Sequence, residues 1–68
     1  MTPEQLRILV RTIYAAIAES GDNGIPSGHL YAAVMNMMDL DQYNRIIDAM
    51  LDHQLITRTN HLLKVKKT

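Results

Sequence analysis

The sequence predicts an α+β domain, mainly helical, with three helices and a small C-terminal β-hairpin. Three observations carry this prediction. Apolar residues recur at helical spacing over 6–17 and again over 43–51. Each stripe begins shortly after a residue suited to cap a helix, Thr2 in the first case and Asp39 in the second. From Leu55 onward the period shortens to two around Asn60, the repeat of a strand pair.

The first helix is expected over about 3–20. Thr2 is the N-cap, Pro3 suits the first helical position, and Gln5 completes a capping box with Thr2. Leu6, Leu9, Val10, Ile13, Tyr14 and Ile17 then form one stripe, and Gly21 supplies a C′ residue able to take positive φ. "GDNG" at 21–24 reads as a turn, and Ile25 before Pro26 leaves room for only one or two residues of strand. Ser27 reads as the cap of a second helix over about 28–36, with Leu30, Tyr31 and Val34 facing a core and "NMMD" as its exit. Asp39 caps a third helix over about 40–54, with Gln42 at the box position and Tyr43, Ile46, Ile47, Met50 and Leu51 on one side.

"ITRT" and "LLKVK" give wing-like strands over about 55–58 and 62–66. Ile56, Leu63 and Val65 are expected to face the helices, with Thr57, Lys64 and Lys66 toward water. The apolar stripes, Ile25 and these strand residues make up the expected core. Met35, Met37 and Met38 cluster at the exit of the second helix. Filling an irregular core beside a turn is the reading preferred there over an adaptable partner groove.

At 68 residues the chain is read as a single domain, 1–68. A domain this small buries only roughly 60% of the surface its unfolded chain exposes. With no cysteine there is no disulfide to staple it. No apolar run reaches membrane length, and "MTPEQLRILV" lacks a basic region ahead of an apolar stretch, so no membrane association and a cytoplasmic location are expected.

The order helix, short strand, helix, turn, helix, strand, strand resembles the winged helix-turn-helix family. The likeness is carried by "GIPSGHLYAAVM" as lead-in and second helix, "DLDQYNRIIDAMLDHQLI" as third helix running into a strand, and "TRTNHLLKV" as the wing. It extends over nearly the whole chain once the first helix is counted. The wing turn around Thr59–Asn60 is short for the family. The resemblance implies a DNA-binding protein, an accessory or regulatory factor of transcription, whose third helix lies in the major groove. By family position Gln42, Asn44, Arg45 and Ala49 are then the base-contact candidates; Arg45 suits guanine and Gln42 adenine, each through two hydrogen bonds.

Charge leads to a second expectation. The chain is neutral overall, yet residues 1–53 hold three arginines against seven acids, and residues 54–68 hold four cations and no acid. The third helix carries Asp39, Asp41, Asp48 and Asp52 against Arg45 alone, and Asp41 is spaced to pair with Arg45. Phosphate contacts therefore fall mainly to Arg58, Lys64, Lys66 and Lys67, a wing-led mode with Arg7 or Arg11 as additions. The competing reading is a protein–protein interaction module that docks a partner on Asp41, Asp48 and Asp52.

No enzyme chemistry, cofactor or metal is expected. His29, His53 and His61 fall in separate elements without ligand spacing, no glycine-rich loop follows a strand, and neither Ser20 nor Ser27 has an obvious His and acid partner. Self-association into a homodimer is expected through Ile8, which falls on the outer side of the first helix near Glu4, Thr12 and Ala15, with Leu62 as a second seam.

Overall fold

The computed structural model describes residues 2–66. Three helices, α1 (Pro3–Glu19), α2 (Ser27–Val34) and α3 (Leu40–Asp52), are joined by a three-stranded sheet made of β1 (Ile25–Pro26), β2 (Ile56–Thr59) and β3 (Leu62–Val65). The sheet is antiparallel in the order β1-β3-β2. The domain is therefore α+β and mainly helical, in an arrangement consistent with a winged-helix layout.

Local chemistry sets the helix boundaries. The Thr2 hydroxyl accepts from the Gln5 amide and the Gln5 side chain accepts from the Thr2 amide, both at 3.1 Å, so two orphan donors of α1 are satisfied reciprocally. Asp39 Oδ1 accepts from the Gln42 amide at 2.8 Å and starts α3. α1 ends at Glu19 and runs into a single 3₁₀ turn, Gly21–Asn23, with Gly21 at φ +61°.

α3 stops at Asp52, short of the expected 54, because the chain turns left-handed at Gln54 (φ +60°). There the Gln54 amide donates to the Leu51 carbonyl at 3.0 Å and the Leu55 amide to the Met50 carbonyl at 2.9 Å, the two bonds of a Schellman motif. That motif takes up Leu55, so β2 begins at Ile56 rather than 55 and continues to Thr59.

The second helix differs from expectation at both ends. Ser27 is not its cap: Pro26 holds the N-cap position with no side-chain cap bond, and Ser27 is the first helical residue. Its hydroxyl is taken up by Tyr43 of α3 at 3.0 Å, a tertiary partner that outcompetes the local cap role. The helix ends at Val34 rather than 36.

The core is formed by Leu9, Ile13 and Ile17 of α1, Leu30 and Val34 of α2, Met38, Tyr43, Ile46, Ile47 and Met50 around α3, and Ile56 and Leu63 of the sheet. Val10, Ile25, Leu51 and Val65 pack against it half-buried. Two expected core residues are outside it, Leu6 at 43% and Tyr14 at 37% exposure. Of the α1 stripe, Leu9, Ile13 and Ile17 are buried and Val10 is half-buried, whereas Leu6 and Tyr14 stay exposed. The methionines divide: Met38 is buried, whereas Met35 and Met37 are exposed. Lys64 is half-buried rather than facing water, because its aliphatic stem lies over Gly24, where an added Cβ would meet its Cγ at 3.0 Å.

Candidate interaction surface

Burial of Tyr43, Ile46, Ile47 and Met50 fixes the rotation of α3. Asp41, Asn44, Arg45, Asp48, Ala49 and Asp52 are then left as one exposed outward stripe, with Gln42 half-buried at one edge and exposed Leu40 and half-buried Leu51 at the other. Tyr43 locks this orientation. Its hydroxyl donates to the Ser27 carbonyl at 3.1 Å and shares a 3.0 Å hydrogen bond with the Ser27 hydroxyl. Its ring lies 5.1 Å from that of Tyr31, tilted by 56°. Burial raises the Tyr43 pKa above its ordinary value near 10, and the Ser27 hydroxyl opposes part of that rise.

Between α1 and α3 runs a groove of about 450 Å³ lined by Leu6 and Val10 on one side and by Gln42, Arg45, Ile46 and Ala49 on the other. A second hollow of about 380 Å³, formed by Gln5, Ile8, Leu9, Met37 and Gln42, shares Gln42 with it as a wall. The two hollows meet at the polar Gln42 and together make a mostly apolar shelf, on which Ile8 is 55% exposed and Met37 49%. Three of the residues read as base contacts, Gln42, Arg45 and Ala49, line this shelf.

The electrostatics of the outward stripe run against a phosphate backbone. Asp41, Asp48 and Asp52 lie on it with Arg45, all exposed, and among the described residues no ion pair joins Asp41 to Arg45. The intrahelical pair expected from their spacing is absent; two exposed side chains gain too little from pairing to fix it.

The cations are elsewhere. Arg58 lies on β2 opposite Leu63, and Lys64 on β3 opposite Thr57. Lys64 and Lys66 border a different hollow, formed with Ala18, Gly21, Asp22, Thr57 and Val65 beside the far end of α1. Lys66 Nζ donates to Gln54 Oε1 at 2.8 Å. Lys67 lies outside the described residues. The expected nucleic-acid set is thus divided: Gln42 and Arg45 line the α1–α3 groove, Asn44 lies on the outward stripe, Arg58 and Lys64 lie in the sheet, and Lys66 follows β3, which ends at Val65 rather than 66.

Nor does the wing project as a free loop. Its turn is the pair Asn60–His61, with Asn60 at φ +57°, and the His61 carbonyl accepts from the Ser27 amide at 2.8 Å. That bond continues the β1–β3 ladder and ties the turn to the start of α2.

His29, His53 and His61 are all exposed, and among the described residues no three His, Asp or Glu side chains are grouped to hold a metal. Sequence reasoning missed the groove itself. Its signal was present in Leu6 and Val10 beside the small Ala49, but which flank of a stripe stays uncovered depends on tertiary packing. The arrangement defines a small helical scaffold with an apolar shelf and an acidic rim. No protein-family model, curated protein or solved structure matches the chain.

Proposed function

We propose that the domain is a protein-interaction module on a winged-helix scaffold, non-catalytic and cytoplasmic, whose working surface is the α1–α3 face. The observation that carries this reading is the outward stripe of α3. At the position where a DNA reader presents cations, it presents Asp41, Asp48 and Asp52 beside an apolar groove. Duplex affinity rests largely on neutralised phosphates, and these carboxylates would meet phosphate with repulsion. A protein partner gains from both features, since apolar area supplies affinity and the acidic rim supplies orientation. Among the described residues no helix is long and apolar enough to cross a membrane.

DNA binding is the second reading, favoured by Arg58, Lys64, Lys66 and Lys67 in and after the sheet. It would be led by the sheet, with α3 in a lesser role. Two measurements separate the readings. Titration of labelled duplex at low salt should show no saturable binding; binding lost when Lys64, Lys66 and Lys67 are changed to Ala would favour DNA. Tagged protein, mixed with an untagged copy and nuclease-treated source lysate, should retain a protein that both Asp48→Lys and Ala49→Arg release. Retention unaffected by either substitution would refute the docking face.

A further inference from the structure

We propose that the occupant of the α1–α3 face is a second copy of this chain, seated by two-fold symmetry. The inference rests on the reading of this face as a protein-docking surface. The face carries both signs of charge: among the described residues Arg45 is the one charged residue lining the apolar floor, and the other charged groups stand outside it. On α1, Arg7 and Arg11 follow the exposed sides of Leu6 and Val10; on α3, Asp41, Asp48 and Asp52 line the outward stripe. All five charged groups are exposed, and among the described residues none is used in an ion pair.

Arg45 against Asp41, Asp48 and Asp52 leaves the α3 stripe at −2, while Glu4 and Glu19 bring α1 as a whole to zero, so its positive charge is local to Arg7 and Arg11. A foreign cationic helix would suit α3 but meet Arg7 and Arg11. A two-fold axis through the groove instead sets α1 of each copy against α3 of the other, so the basic rim meets the acidic rim twice. Ala49 at the groove wall lets the second backbone come close.

The size fits a weak dimer. α1 has 17 residues and α3 has 13, so they extend about 25 and about 20 Å at 1.5 Å per residue. A face built on two helices of this length falls below the roughly 800 Å² per partner of a standard interface, a size found among weak, transient contacts.

Sedimentation equilibrium from about 10 to about 300 μM covers weak association of this kind. The expected result is a monomer–dimer equilibrium that weakens with salt. Ala49→Arg, with an unchanged circular dichroism spectrum, should leave only monomer. Arg7→Glu with Arg11→Glu should raise the dissociation constant at least about fivefold. Adding Asp41→Lys with Asp48→Lys to the same chain exchanges the two rims and should restore association. Failure of that restoration in a folded quadruple variant overturns the symmetric arrangement. A wild-type mass that stays monomeric while Ala49→Arg still releases a lysate partner overturns the second copy and leaves the docking face. A monomer from which Ala49→Arg releases nothing overturns both. A dimer that Ala49→Arg leaves intact overturns the second copy at this face, because association then occurs elsewhere.

Discussion

Tyr43 shows how one side chain joins stability to the orientation of the candidate surface. Its hydroxyl is held by both polar oxygens of Ser27, and its ring is buried against Tyr31. Removing the hydroxyl leaves the Ser27 carbonyl without this donor, so Tyr43→Phe should cost about 1–2 kcal/mol in urea unfolding. The same residue sets an alkaline limit. Its folded pKa is raised above the unfolded value near 10, so the native state holds its proton where the unfolded chain has lost it. The associated stability is present below about pH 10 and is lost as pH rises through the folded value. Unfolding free energy followed from about pH 8 to about pH 11 should fall, and Tyr43→Phe should fall less steeply. Identical slopes would remove Tyr43 as the cause. The Tyr43–Ser27 bond was not legible in the sequence. Serine before a helix is a good cap by type, and only the fold brings in a competing phenol from sixteen residues away.

Two left-handed residues at the joints between elements give opposite expectations. Gln54 closes α3 with both Schellman bonds but carries a side chain at φ +60°, where glycine is unstrained. Gln54→Gly should gain about 0.5–1 kcal/mol despite losing the exposed bond from Lys66, and raise the melting temperature by a few degrees. Gly24, at φ +77° before β1, allows no such freedom. A Cβ there would lie 3.0 Å from Lys64 Cγ and 3.2 Å from the Leu63 carbonyl, so Gly24→Ala should cost more than about 1 kcal/mol. Thermal melts of the two variants should move in opposite directions; a fall for Gln54→Gly would mean that the Lys66 contact outweighs the backbone strain. What was readable at this scale was local: the caps at Thr2 and Asp39, the periodicities of α1 and α3, and the wing alternation. What was not readable was non-local. Leu6 and Tyr14 belong to a good helical stripe, yet burial requires a covering neighbour, and the domain supplies one fully along Leu9, Ile13 and Ile17 and in part at Val10. The acidity of α3 was evident from composition, whereas the groove beside it depends on how α1 crosses α3.

The whole molecule has little stability to spare. Ile13 is fully buried and Ile47 nearly so, and Ile13→Ala or Ile47→Ala should cost roughly 2–5 kcal/mol, enough to unfold a domain of this size. Wild-type-like melting of both would contradict the core assignment. The strand order bears on how the domain is assembled in time. β3 is the last element along the chain but the middle strand in space, and Leu63 pairs with Ile25 more than half the chain away. β1 and β2 do not pair with each other, so no sheet exists until β3 is in place. A nascent chain released after α3 has only the Tyr43–Ser27 bonds to hold the start of α2, and lacks both the sheet and the bond from the Ser27 amide to the His61 carbonyl. Closure of that long loop places an entropic barrier late in folding, slower than the helical content alone implies. During synthesis the domain therefore completes its fold only when β3 has emerged, and until then its unpaired apolar faces are open to chaperones and proteases.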